Sequence, residues 1–186
     1  LFGFNTVNTG GAPIEVLPFT VGPGGASTNI LVSRASGTDN VRFKYVVFRG
    51  DMVITEYDTR SATIVGQANA AGAVTVGAVR YDNTPEYGNP LVLMSFSSTG
   101  GTPVNGEVRA KPEILAPNGV NTTVNIGPDY DLDGLPNFFG TSAAAPHAAG
   151  VAALLQEARS KYWNGETLLP DQIKELLSIT AIKNAG

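Results

Sequence analysis

The chain has 186 residues, 42% of them hydrophobic and 15% charged, enough to bury the core of one domain, alone or with a small companion. A net charge of −4 with no basic stretch argues against a nucleic-acid partner, and no run of about 18 apolar residues suggests a membrane-spanning helix. Zero Cys excludes a disulfide framework and a thiolate metal site but leaves the compartment open. Leu1-Phe2-Gly3-Phe4 lacks the basic start and apolar core of a signal peptide, so the chain reads as beginning in the middle of a protein.

Residues 1–60 have a β-rich texture. Short strand-like runs at 14–19, 29–34, 41–48 and 52–57 are separated by turn formers such as Gly22-Pro23-Gly24-Gly25 and Gly37-Thr38-Asp39-Asn40. Apolar and basic residues alternate in Val41-Arg42-Phe43-Lys44-Tyr45, and Arg49-Gly50-Asp51 is expected to close a hairpin. This unit is either a ligand-binding β-sandwich or an insertion packed on the rest. No aromatic or acidic cluster suited to a ligand stands out in it.

Near Gly66 the period changes, and residues 61–186 are expected to form a second domain. Residues 73–79 are almost continuously apolar and bounded by Gly, as in a strand covered on both faces of a parallel sheet. A polar loop over 81–90, an apolar run at 91–96 and a Ser/Thr/Gly-rich loop lead to a strand at 113–116 stopped by Pro117. The alternation predicts an α/β fold, a mostly parallel sheet with flanking helices. One helix, over 142–161, would be ~30 Å long and run through the core on its small residues. The other, over 170–180, has Ile173, Leu176 and Leu177 on one face and is expected to cover the sheet.

Between these elements lie the residues with chemistry. Asp129-Tyr130-Asp131-Leu132-Asp133-Gly134 places three carboxylates at alternating positions closed by Gly, like the first half of a calcium loop. The second half is absent, with Gly140 where a bidentate Glu belongs, so Asn137 or backbone carbonyls would have to complete the shell. The site is either a structural calcium held by Asp129, Asp131 and Asp133 or a solvated acidic loop. Farther on, Ser142 stands behind Gly140-Thr141 and ahead of an Ala-rich run. A Ser there can be a nucleophile on the first turn of a buried helix, where unpartnered N–H groups favour an anion, or it can simply cap that helix. Pro146 is expected within the first turn or so, where a missing N–H costs little.

The string Gly140-Thr141-Ser142-Ala143-Ala144-Ala145-Pro146-His147-Ala148-Ala149-Gly150 resembles the nucleophile region of the subtilisin-like serine proteases at every position. Resemblance extends to Ala73-Val74-Thr75-Val76-Gly77-Ala78-Val79, Ser95-Phe96-Ser97-Ser98 and Lys111-Pro112-Glu113-Ile114-Leu115-Ala116-Pro117. It covers about two thirds of the chain. Two departures are visible, Glu113 where the family usually has Asp and Asn118 where Gly usually follows Ala-Pro. A related family with Glu and Asp in place of the His-Asp pair shares the Gly-Thr-Ser start, but His147 after Pro146 favours the subtilisin-like branch.

The resemblance implies the C-terminal part of the catalytic domain of a secreted or cell-surface endopeptidase acting on polypeptides. Ser142 is the implied nucleophile, its own N–H an oxyanion donor and Thr141 a supporting hydroxyl, with no cofactor needed for the chemistry. The one His, His147, lies five residues after Ser142 on the same helix, about 140° away in direction, and cannot be the base. In the family the catalytic Asp and His and the oxyanion Asn precede this region, and no match to them occurs here. The 186 residues alone are therefore expected to be inactive and to self-associate through exposed sheet edges. A rival reading is a non-catalytic relative whose β-rich segment is a binding module.

Overall fold

A computed structural model of the chain describes residues 14–34, 36–40, 43–47 and 52–183. They belong to two compact units, residues 1–45 and 46–186; the sequence had suggested a division near residue 60.

The described residues of 14–60 contain no strand, so the β-rich subdomain expected there is not seen. An alternating pattern becomes a sheet only when a neighbouring strand completes the ladder and something covers the apolar face. Here that face is wet, with Ile14, Phe19, Ile30, Leu31 and Val53 all more than half exposed. The hairpin turn expected at 49–51 lies outside the described residues.

The second unit is an α/β arrangement. Strand β1 (Val76–Arg80) pairs in parallel with β2 (Ile114–Asn118), Val76 opposite Ile114 and Ala78 opposite Ala116. β1 starts three residues later than its apolar run suggests and β2 one residue later, and β2 continues through Pro117 to Asn118. The run at 91–96 adds no full strand. It touches β1 at a single bridge, Leu93 opposite Val79, and Met94 N–H donates to the Ala78 carbonyl at 2.9 Å. A second, antiparallel pair joins β3 (Val120–Asn121) to β4 (Asn137–Phe138).

Helix α1 (Thr141–Tyr162) lies against β1 and β2. Ala143, Ala144 and Ala148 form its buried stripe, and Ala78, Ala116 and Ala144 make the innermost cluster, flanked by Val76 and Met94. Three alanines at one point let a helix approach a sheet closely, so the small residues fix the distance between the layers. Away from this stripe α1 is wet: Val151 and Leu154 are exposed.

Helix α2 (Pro170–Thr180) turns Ile173, Leu176 and Leu177 inward as half-buried residues, as their spacing predicts. Leu169 N–H donates to Gln172 Oε1 at 2.9 Å, and Pro170 occupies the first position, where its missing N–H costs nothing. It is α1, however, that covers the paired strands. Helix α2 leans on α1 and reaches the sheet through Lys174. Lys174 Nζ lies 2.7 Å from Glu113 Oε1, which also meets Lys111 Nζ at 2.6 Å; the Thr75 N–H donates to Glu113 Oε2 at 2.7 Å. Lys111 is buried and additionally donates to the Ala73 carbonyl. One carboxylate thus ties β2, the approach to β1 and α2 together.

Candidate active site

Gly140 opens the site. Its φ of +119° lies in a region that side chains disfavour, so Gly permits the turn from β4 into α1. The Gly140 carbonyl accepts the N–H groups of Ala143 (3.0 Å) and Ala144 (3.3 Å), which starts the helix. Its N–H donates to Asn118 Oδ1 at 3.3 Å, binding the turn to the end of β2.

Ser142 is the second residue of α1 and is exposed. Among the described residues its hydroxyl has no hydrogen-bond partner, and the N–H groups of Thr141 and Ser142 have none either. Gly140, rather than Ser142, occupies the cap position. The hydroxyl is therefore not consumed in capping, and it stands beside two free N–H groups at the positive end of a 22-residue helix. Thr141 is half-buried beside it.

Pro146 falls later than expected, at the sixth position of α1. Lacking an N–H, it cannot donate to the Ser142 carbonyl four residues back. His147 folds back along the helix, and its Nδ1–H donates to the Ala143 carbonyl at 2.8 Å. No hydrogen bond joins His147 to Ser142 among the described residues.

The acidic loop stands just before this turn. One carboxylate oxygen from each of Asp129, Asp131 and Asp133 lies within 4.8 Å of the others. Each also accepts hydrogen bonds from the protein. Asp129 takes the N–H groups of Asp133 (3.2 Å) and Gly134 (2.8 Å), and Asp133 takes Leu135 N–H (2.9 Å) and the Asn121 amide. Asp131 accepts from the Tyr81 hydroxyl at 3.0 Å and Asn137 Nδ2 at 3.3 Å. The Tyr81 hydrogen bond, more than any other contact, holds the Asp131 carboxyl below its usual pKa and pushes the Tyr81 hydroxyl up.

Asn137 does not turn its oxygen toward the three carboxylates. Its Oδ1 accepts the Tyr130 N–H at 2.7 Å, and its Nδ2 faces Asp131, the Gly119 carbonyl and Asn121 Oδ1. Buried at 2% exposure, it links the acidic loop to β3 and β4. Sequence reading had no signal for this role, since it depends on contacts with residues up to 18 positions away.

Several Bacillus proteins are similar to parts of this chain. Serine protease AprX of Bacillus subtilis (strain 168) is 37% identical over 127 residues, 63% of this chain and 26% of that protein. Alkaline elastase YaB of Bacillus sp. (strain YaB) is 34% identical over 107 residues, 54% of this chain and 27% of that protein. Minor extracellular protease Vpr of Bacillus subtilis (strain 168) is 41% identical over 93 residues, 48% of this chain and 10% of that protein. The chain thus spans about a quarter of the first two relatives' length. No solved structure gives a significant match. The sequence model of the Subtilase family covers residues 16–186, which take in the strands, the acidic loop and the Ser142 turn, and the chain belongs to that family.

Proposed function

We propose that the chain supplies the nucleophile of a serine endopeptidase whose catalytic Asp and His are contributed by residues outside these 186. The observation that carries the reading is Ser142, whose hydroxyl and N–H have no partner among the described residues, at the start of α1 inside a string that matches the subtilisin-like motif throughout. Ser142 Oγ attacks the carbonyl carbon of the scissile peptide bond while the His takes its proton. Charge then develops on the carbonyl oxygen, where the Ser142 N–H donates to it and Thr141 supports it at the helix terminus. Collapse of that intermediate breaks the C–N bond, the amine leaves with the proton, and water releases the acyl group from Ser142.

Substitution Ser142→Ala in the complete protein tests this directly. Casein hydrolysis should vanish, and hydrolysis at the wild-type rate would remove Ser142 from the mechanism. The rival reading, a binding module in the first 60 residues, gains no support from the structure, since the described residues of 14–60 form no sheet. The name of the Vpr relative supports secretion, and no helix among the described residues is long and apolar enough to cross a membrane. Self-association through exposed sheet edges is part of the same reading.

A structural calcium ion is a second part of the proposal. Calcium–oxygen distances of about 2.3–2.6 Å put oxygens on opposite sides of the ion roughly 5 Å apart, which suits the spread of the Asp129, Asp131 and Asp133 oxygens. The protein donors on all three carboxylates ease their repulsion without a metal, so binding has to displace or share those hydrogen bonds. Titration calorimetry should show calcium binding to the wild type that Asp131→Ala loses, together with a higher melting temperature in calcium. No heat in either protein ends the idea.

A further inference from the structure

Asn118 stands where the subtilisin-like pattern has Gly after Ala-Pro, and it is fully buried at 0% exposure. It is the last residue of β2, and its carbonyl accepts the Tyr81 N–H at 2.9 Å, which fixes its backbone to the end of β1. Among the described residues its side chain makes one hydrogen bond, accepting the Gly140 N–H on Oδ1, while Nδ2 is buried without a partner there. A buried amide with an unsatisfied donor is a poor choice for stability alone. Nδ2 is also shut off from solvent, so it cannot donate to a substrate.

The next residue holds the same turn from below. Gly119 N–H donates to the Phe138 carbonyl at 2.8 Å. With φ at +76°, Gly119 lies so close to Phe139 that an added Cβ would come within 2.8 Å of the ring. Asn118 and Gly119 therefore grip both sides of Phe139, and the turn they grip delivers Ser142 two residues after Gly140.

We infer that Asn118 is a positioning residue for the Ser142 nucleophile, its Oδ1 fixing Gly140 and thereby the place of the Ser142 hydroxyl and N–H. The inference rests on the peptidase reading. An attacking oxygen displaced by about 1 Å loses on the order of 100-fold in rate, so one buried acceptor can matter here more to turnover than to folding.

The test uses the complete protein with Asn118→Leu and Asn118→Asp. Leu has nearly the same shape and removes both the acceptor and the unpaired donor; Asp keeps the acceptor. Active sites are counted by fluorophosphonate titration, and kcat and KM are expressed per titrated site beside the melting temperature. Asn118→Leu should melt within a few degrees of wild type, with kcat per site down roughly 10- to 100-fold and KM within about twofold. Asn118→Asp should recover most of kcat. A purely structural role predicts fewer active sites of unchanged kcat, and that result overturns the inference, as does an equal loss in both variants. Should Asn118→Leu not fold, Asn118→Ala, which also lacks the acceptor, is judged by the same loss of kcat per titrated site. Wild-type protein that takes up no probe at Ser142 sinks the peptidase reading itself, whereas normal wild-type labelling with unchanged kcat in Asn118→Leu sinks this inference alone.

Discussion

At Ser142, changing to Ala removes a hydroxyl that has no partner among the described residues and is not the helix cap. Stability should therefore stay within about 0.5 kcal/mol of wild type, less than the loss of a capping Ser would cost. Turnover should fall by ~10⁶, a figure that comes from subtilisin itself and is therefore not independent of the assignment. Equilibrium unfolding and casein hydrolysis on the same preparation separate the two effects. Ser142 was legible in the sequence because its motif is contiguous: Gly140 to Gly150 spells out turn, nucleophile and close-packed helix without reference to the rest of the chain. Asn118 was visible only as a departure. Its bond to Gly140 spans 22 positions, and nothing local in Ala-Pro-Asn-Gly announces it. The sequence offers Asn137 as an oxygen ligand, but the fold turns its amide nitrogen toward Asp131.

Among the elements, the junction of β2 with α2 depends on Glu113. Burial pushes the Glu113 carboxyl toward a higher pKa, but hydrogen bonds from Lys111, Lys174 and the Thr75 N–H outweigh it and hold the group below its usual 4.5. A carboxylate with a depressed folded pKa binds more protons when unfolded, so its contribution is fully present above about pH 4.5 and is lost as pH falls through the lower folded value. Removing the charge with Glu113→Gln leaves Lys111 buried without its counter-ion. The cost should be about 3–5 kcal/mol at neutral pH and should shrink in acid. Urea unfolding at pH 7 and pH 3 measures it, and an equal cost at both values contradicts the account. The sequence showed Glu113 as a substitute for the family's usual Asp. It could not show that Lys174, on another element, shares the carboxylate.

The helices were the most legible elements because apolar spacing and small residues set them locally. Helix α2 presents the predicted face, and α1 ends within a residue of its expected bounds at either end. The β texture of the first 60 residues misled because alternation describes a strand's faces without supplying the neighbour that completes it. Among the described residues Ile14, Ile30 and Leu31 remain exposed, and burial does not favour a sheet there.

For the whole molecule, the parallel pair β1–β2 is covered by α1 on one face, while Val151 and Leu154 of α1 face solvent. Exposed apolar side chains of this kind favour association. Light scattering on the isolated 186 residues should therefore show mass rising with concentration, and a constant monomer mass up to high concentration would refute it. The central claim is that Ser142 is a nucleophile activated only by residues outside this chain. Fluorophosphonate labelling, with the adduct mapped by mass spectrometry, tests it most directly. The complete protein should carry one rapid adduct at Ser142, absent in Ser142→Ala, and the isolated chain should label slowly or not at all. An adduct on another residue of the complete protein, or equally rapid labelling of the isolated chain at Ser142, would contradict the account.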